Sequence, residues 1–318
     1  MQVFSLALRQ MLILVLLAAI GFYLRRRNIL SEQGVTGLSS VVMNVGLPAM
    51  ILSAFDIEYI QGTGRSILLF AGLMILSLAL SAVLARIIAR MAHCAQNRKN
   101  VWLFAMLNSN CGFIGFPIIY ALYSGTALVY ASMMVMIMNL CTAVFTSIMR
   151  KQRETMQEGA ENAPKTSIKK LLLQPLTITP LIGLLFYLTP LSYPAFVREV
   201  IDPLKGLCSP LALFVAGAGL VNANWKEIIR DRMIALYCLM RLLVIPAILT
   251  VFLLPLPIDD NIKIILIVGL AMPAPGITPI IAQENKGDVP FASEIVFVST
   301  ILSVLTIPIV TALLSILL

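Results

Sequence analysis

The chain has 318 residues, of which 59% are hydrophobic and only 12% are charged, and its formal net charge is +8. Soluble globular proteins carry about 25% charged residues, so this chain cannot cover a water-facing surface of its own size. The composition excludes cytosolic enzymes, secreted disulfide scaffolds and nucleic-acid-binding domains. A basic excess in such a chain is typical of the loops that orient a membrane protein.

Apolar runs divide the chain into ten predicted transmembrane helices, since a bilayer core needs about 20 apolar residues per helix. The runs are 10–24, 33–55, 66–85, 100–149, 171–197, 206–225, 233–258, 264–283 and 295–318. The run 100–149 is long enough for two helices with a turn near residues 123–126. The first run ends at Arg25 without a small-residue cleavage site, so we interpret it as a retained span rather than a signal peptide. The runs are continuous rather than alternating, which favours helices over a barrel.

Basic residues are concentrated in alternate loops between these runs. The loops 25–36, 86–100, 149–170, 222–232 and 283–289 hold 17 of the 23 Lys and Arg residues, and the segments of the opposite side hold five. Lys and Arg are enriched in cytoplasmic loops, which predicts that these five loops face the cytoplasm. Both termini are then expected outside the cytoplasm, with the chain in the cell (cytoplasmic) membrane.

A charged segment separates five predicted spans from five others. We interpret residues 149–170 as a flexible cytoplasmic linker between a first repeat, 1–148, and a second repeat, 171–318. The alternative is a regulatory or lipid-headgroup role for its basic ends. Because each repeat has an odd number of spans, the second is expected to be inverted relative to the first.

Two spans carry helix-breaking residues at matching positions. The fourth contains Asn110-Cys-Gly-Phe-Ile-Gly-Phe-Pro117, and the ninth contains Met272-Pro-Ala-Pro-Gly-Ile-Thr-Pro279. Proline removes a backbone donor and clashes with the preceding turn, and glycine adds backbone freedom. Free backbone groups at membrane depth are tolerated only within protein or beside a polar cavity. Paired interruptions of this kind therefore indicate the binding site of a transporter.

One basic residue, Arg241, lies inside a predicted span. It follows Arg232 by nine residues, which is about 13 Å along a helix. Three interpretations remain open for its guanidinium: it reaches back toward the cytoplasm, it binds carbonyls freed by a broken helix, or it attracts an anionic substrate.

Uncharged polar residues within the runs are further candidates for substrate contacts, although such residues also serve as contacts between helices. Asn108 and Asn110 directly precede the first break. Glu294 is the best candidate for a proton relay, but it also fits the start of a helix. One histidine, His93, and five cysteines without metal-ligand spacing predict no metal and no cofactor.

At the fourth span the motif Asn110-x-Gly112-Phe-Ile-Gly115-Phe-Pro117 resembles the signature of the auxin efflux carrier family. The resemblance extends along nearly the whole chain. Further segments similar to that family are Asn44-Val-Gly-Leu-Pro48-Ala, Arg241-Leu-Leu-Val-Ile-Pro246, Met272-Pro273, Ala282-Gln283, Gly287, and Ser299-Thr300 through Leu305-Thr-Ile-Pro308. The short central loop is similar to microbial members.

The resemblance implies an all-α integral membrane fold of ten helices, arranged as two inverted five-helix repeats whose broken fourth and ninth helices cross. It implies organic-anion substrates, auxins in plants and malate, malonate or related carboxylates in microbes. It would place Asn110, Pro117 and Pro273 at the crossing point. The chain departs from the family pattern at Pro275, Gly276 and Pro279.

The sequence thus predicts a secondary transporter that moves a small organic anion by alternating access, since it contains no ATP-binding GxxxxGK[ST] motif. The candidate substrate-binding residues are Asn44, Asn108, Asn110, Gly112, Pro117, Asn139, Arg241, Pro273, Gly276 and Thr278. Alternatives are a sodium-coupled symporter of the bile-acid carrier type and a ligand-binding membrane sensor. Expected partners are the organic anion, a coupling sodium ion or proton, the lipid bilayer and, left open, a second copy in a homodimer. No nucleic acid is expected, and an intramembrane enzyme is disfavoured.

Overall fold

The structure is a computed structural model that describes residues 2–156, 173–189, 192–219, 221 and 231–318. The regular elements of these residues are helices, and no strand occurs among them. In chain order the helices are α1 Gln2–Arg26, α2 Glu32–Ala54, α3 Thr63–Met91, α4 Gln96–Leu107, α5 Phe116–Leu122, α6 Thr126–Met156, α7 Pro175–Leu188, α8 Ala195–Gly219, α9 Arg232–Leu253, α10 Asp260–Leu270, α11 Thr278–Glu284 and α12 Val289–Leu317.

Seven helical segments of the described chain are long and apolar enough to cross a membrane. They are α2, α3, the interrupted pair α4 and α5, α6, α8, α9 and α12. The other three predicted spans correspond to α1, to the 14-residue α7 and to the separate helices α10 and α11. The all-helical membrane class is therefore confirmed, whereas the count of ten spans and the inverted repeat stay predictions.

Three helical segments contain a π-helical turn that ends two residues before a proline. These turns are Val42–Gly46 before Pro48, Cys111–Gly115 before Pro117, and Met240–Val244 before Pro246. In the second turn, for example, Phe116 N donates to the carbonyl of Cys111, five residues back. A proline ring clashes with the carbonyl four residues before it, and the wider turn relieves that clash. Proline at these positions therefore widens a helix without ending it.

The interrupted fourth span lies at the centre of the molecule. In its most apolar window 83% of the residues are buried, against 33% in α3 and in α12. The outer helices expose large apolar side chains such as Leu76 and Ile316, as expected where a helix faces lipid.

Helices α1 and α8 approach each other closely through glycines. A Cβ atom added to Gly217 would lie 1.8 Å from the carbonyl oxygen of Ala18, and one added to Gly21 would lie 2.2 Å from that of Phe214. Small residues permit such contact between the backbones of membrane helices. The pair α1 and α8 is thus held by direct backbone packing.

Ion pairs connect loops at the two ends of the helices. Arg98 donates to Asp231 at 2.5 Å and to Asp288 at 2.7 Å, which brings three of the predicted cytoplasmic loops together. At the other end Arg198 pairs with Asp56 at 2.8 Å, between two predicted external segments. These contacts agree with the predicted grouping of the loops. Which end faces the cytoplasm stays a prediction.

The predicted linker is described only in part. Helix α6 continues to Met156, so the first residues of the segment 149–170 are helical rather than a loop. Residues 157–170 lie outside the described residues, as do residues 222–230 of the predicted loop 222–232. The predicted repeat bounds, 1–148 and 171–318, stay predictions.

Candidate functional site

The fourth span is interrupted at residues 108–110, between α4 and the π-helical turn that begins at Cys111. Asn108 closes α4, because its backbone N and its Nδ2 both donate to the carbonyl of Phe104 at 3.0 Å. Its Oδ1 accepts a hydrogen bond of 2.9 Å from the hydroxyl of Thr142 on α6. The buried amide of Asn108 therefore fixes the end of α4 against α6.

The ninth span is interrupted at residues 271–277, where the prolines predict that a helix ends. Ala274 N donates to the hydroxyl of Ser299 on α12 at 3.1 Å. The carbonyl of Pro275 accepts from Thr278 N at 3.0 Å and from Thr278 Oγ1 at 2.5 Å, which starts α11. Thr278 is thus buried as a helix-starting residue with its hydroxyl already bonded.

The two interruptions touch each other. Asn110 N donates to the carbonyl of Pro273 at 2.8 Å, and a Cβ atom added to Gly115 would lie 3.2 Å from Cγ of Met272. An unpaired backbone N–H or C=O group costs several kcal/mol at membrane depth. The hydrogen bond between Asn110 and Pro273 satisfies one such group in each interruption. We call residues 108–110 and 271–277 together the crossover.

Arg241 lies beside the crossover, in the π-helical turn of α9, and its side chain is 0% exposed. Its Nη1 donates to the carbonyl of Met106 at 2.9 Å and its Nε donates to that of Met272 at 3.3 Å. The carbonyl of Met106 lies in the last turn of α4, where the peptide dipoles leave partial negative charge, and the carbonyl of Met272 lies two residues beyond the end of α10. The predicted bonding to freed carbonyls is therefore present. The interpretation that Arg241 reaches back toward the cytoplasm is wrong, because the buried guanidinium bonds to the interior.

Tyr237, one turn before Arg241 on α9, completes this contact. Its hydroxyl donates to the carbonyl of Ala105 at 3.1 Å, and its ring meets the edge of Trp102 at 6.0 Å between centroids. Tyr237 and Arg241 thus bind consecutive carbonyls at the end of α4. Sequence reasoning did not select Tyr237, although its spacing of four residues from Arg241 places both on one helix face.

Three buried polar atoms near this region have no hydrogen-bond partner among the described residues. They are Nη2 of Arg241, Oγ of Ser109 and Nδ2 of Asn139. Asn139 lies one turn before Thr142, the residue that contacts Asn108. A buried polar group without a partner costs about 1–3 kcal/mol, so such atoms mark a place where a polar molecule gains by binding.

The other predicted site residues, which are Pro117, Gly112, Gly276 and Asn44, differ in their surroundings. Pro117 is buried in α5, and Gly112 is half-buried, with Leu47 of α2 3.6 Å from an added Cβ atom. Gly276 is exposed within the second interruption. The exposed Asn44 of α2 donates to the carbonyl of Ser40 at 2.8 Å, on its own helix.

The sequence matches the family described as membrane transport protein over residues 6–311, which is nearly the whole chain. The chain belongs to this family. The resemblance to auxin efflux carriers is thereby confirmed. A curated relative from Methanothermobacter thermautotrophicus, described as an uncharacterized transporter, is 25% identical over 298 residues, which cover 93% of this chain and 94% of the relative.

This protein is therefore a multi-pass membrane transporter. Both comparisons point to transport, and neither describes a catalytic activity. Within the described residues no group of three or more His, Cys, Asp and Glu side chains is placed to hold a metal ion. The crossover with its buried guanidinium is the candidate site of this transporter.

Proposed function

We propose that this transporter moves a small organic anion, such as a carboxylate, across the cytoplasmic membrane by alternating access. The observation that carries the proposal is the guanidinium of Arg241. It is fully buried beside the crossover, bonds only to carbonyls among its described contacts, and keeps Nη2 free of a protein partner. A carboxylate oxygen is the natural acceptor for such an N–H group, since charge-assisted hydrogen bonds are stronger than neutral ones.

The wider proposal is a ten-helix transporter of two inverted repeats, with both termini outside the cytoplasm. Support comes from the contact between the two interruptions and from the grouping of loops at each end by Arg98 and by Arg198. The candidate ligand contacts are Arg241, Asn110 and, through its free amide, Asn139.

A sodium-coupled symporter of the bile-acid carrier type is the principal alternative. Carbonyls at the crossover and at the end of α4 are the groups that would bind sodium, but those of Met106, Met272 and Pro273 each already accept a hydrogen bond. The positive charge of the Arg241 guanidinium also repels a cation that would bind to these carbonyls. This arrangement favours an anion over a cation at this place in the structure, and a sodium site elsewhere is an outcome that the experiment below separates.

The experiment measures uptake and binding of mono- and dicarboxylates by the purified protein in proteoliposomes, with and without sodium. Three variants are compared: Arg241→Lys, which keeps the positive charge, Arg241→Gln, which keeps donors without charge, and Arg198→Ala, a control at the surface. We expect the affinity for the carboxylate to fall in the order wild type, Lys, Gln, and to stay unchanged in the control. A ligand that binds the folded state also raises its melting temperature by mass action.

Two results would overturn the proposal. Equal carboxylate affinity in wild type, Arg241→Lys and Arg241→Gln would remove the guanidinium from the site. Binding without any flux would leave a membrane sensor in place of a transporter of that compound. Uptake that requires sodium would support the symporter.

A further inference from the structure

Helix α2 is divided into two halves with opposite surroundings. None of the ten residues of Glu32–Val41 is buried, whereas five of the eight residues of Leu47–Ala54 are. The unburied half, EQGVTGLSSV, is mainly polar or glycine, and the packed half, LPAMILSA, has a single polar side chain. Exposed polar groups are costly in hydrocarbon, so this distribution indicates that the first half of α2 meets water inside the membrane protein.

The polar residues of this half form a line that leads to the middle of the span. Thr36, Ser40 and Asn44 follow Glu32 at intervals of four residues, and all are exposed. Each donates to the carbonyl one turn earlier, at 3.1 Å, 3.0 Å and 2.8 Å. These bonds use the two hydroxyl protons and one of the two amide N–H groups of Asn44, so the second amide N–H is left to donate to a solute. Asn44 is about 18 Å along the helix from Glu32, which is mid-depth for a core of about 30 Å.

The line begins at an open space. Ser31, Glu32, Gln33 and Thr36 at the start of α2 line a surface depression that is open on its outer side. This depression includes Glu32 and Thr36 of the polar line. Access to the line from this end of the molecule is open.

The line ends at packed protein beside the crossover. Directly after Asn44, a Cβ atom added to Gly46 would lie 3.2 Å from Cys208 of α8, and Leu47 reaches Gly112 next to the first interruption. Further along α2, the residues Met50, Ile51 and Ala54 are buried. Entry along α2 is thus open from the Glu32 end and closed beyond Asn44.

The charge at the open end suits an anionic solute. Arg25 lies 3.8 Å from Glu32, which partly offsets its charge, and the neighbouring Arg26 and Arg27 are exposed. A net positive charge at an entrance raises the local concentration of anions within about 8 Å at physiological salt.

We propose that Thr36, Ser40 and Asn44 border an aqueous path that admits a small hydrophilic anion from the Glu32 end of α2 as far as Asn44, where packed residues separate it from the crossover. The identity of the solute rests on the proposed function. The existence of the path does not, because it follows from the exposure and polarity of α2.

The experiment measures the reactivity of single cysteines with a negatively charged, membrane-impermeant methanethiosulfonate in lipid nanodiscs, where both faces are accessible. The test variants are Thr36→Cys, Ser40→Cys and Asn44→Cys, and the unsubstituted protein gives the background of its five native cysteines. The matched controls are Val41→Cys and Val45→Cys, at positions 45% and 40% exposed on the neighbouring apolar face of the same helix. Only the thiolate reacts, and it forms in water, so the three test sites should react about ten times faster than the controls or more.

Equally slow reaction at test and control sites overturns the proposal, because it means that lipid or a second copy covers the polar line. A second measurement separates this proposal from the proposed function. Access of the reagent needs no transport. If the three cysteines react fast and the Arg241 variants bind carboxylate with unchanged affinity, the path stands and the anion site at Arg241 is ruled out. If the three cysteines react slowly and substitution of Arg241 lowers the carboxylate affinity, the anion site stands and the path is ruled out.

Discussion

Loss of Arg98 should weaken the packing of α4 against its neighbours. This residue stands in the first turn of α4 and donates to Asp231 and Asp288, the residues that precede α9 and α12. Both carboxylates also cap those helices, through Met233 N and Phe291 N. The substitution Arg98→Ala removes the shared cation and leaves two partly buried carboxylates facing each other.

The size of the effect follows from the contacts. The Arg98 side chain is 30% exposed and the two aspartates are 18% and 15% exposed, so the network is neither fully buried nor freely solvated. Each charge-assisted hydrogen bond contributes about 1.5 kcal/mol at the lower limit of its range. The guanidinium carbon also lies 4.6 Å from the centre of the Phe291 ring, a contact that adds about 0.5–1 kcal/mol. With partial rescue by water, Arg98→Ala should lower the free energy of unfolding by about 2–4 kcal/mol.

The assay is thermal unfolding of the detergent-purified protein, followed through a dye that reacts with newly exposed cysteines. The matched control is Arg198→Ala, which breaks an ion pair at the opposite end, where the side chains are 48% and 31% exposed. An exposed pair of that kind contributes about 1 kcal/mol or less. The melting temperature should therefore fall clearly for Arg98→Ala and little for Arg198→Ala. Equal shifts for the two variants would refute the reasoning from burial and geometry.

Two further predictions concern α8 and the loop before α4. Gly217→Ala should destabilise the protein, because the new Cβ atom would lie 1.8 Å from the carbonyl of Ala18, whereas Gly206→Ala has nothing within 4 Å and should stabilise the helix by about 0.5–1 kcal/mol; opposite shifts in melting temperature check this. Burial raises the pKa of the Cys94 thiol above its ordinary value of 9.0, although the nearby Arg98 charge opposes the rise. Thiolate formation at Cys94 therefore moves to higher pH, and its alkylation rate should reach its plateau at a higher pH than that of a free cysteine peptide; a plateau at the same or a lower pH would contradict the prediction.

The interruptions could be predicted from sequence because their cause is local. Three prolines within eight residues remove backbone N–H donors, and Gly276 adds backbone freedom, wherever the segment lies. The end of α10 therefore follows from the covalent structure of this segment. The unusual position of Arg241 could also be recognised from the sequence, because a positively charged side chain within an apolar run needs a partner in any fold.

The partners themselves could not be predicted, because they come from other helices. Nothing in the sequence around Arg241 names Met106 or Met272, and the hydrogen bond from Tyr237 to Ala105 joins residues 132 positions apart. An apolar run fits a helix that faces lipid as well as one that faces protein. The burial of α4 at the centre of the molecule is therefore visible only once the helices are packed together. The exposure of Asn44 is of the same kind, because an asparagine in an apolar run fits a contact between helices as well as an open face.

The charge of Arg241 also bears on what moves across the membrane. Four helix ends meet at the crossover. The C-terminal ends of α4 and α10 each carry about half a negative charge, and the N-terminal ends of the turn at Cys111 and of α11 each carry about half a positive charge. These contributions cancel, so the guanidinium leaves the empty crossover with about one positive charge, and replacing Arg241 by a neutral residue would remove its attraction for an anion. A bound monocarboxylate would make the loaded crossover close to neutral. If the crossover moves relative to the membrane, its loaded passage then transfers little charge and its empty return transfers about one positive charge, unless another ion travels with the substrate.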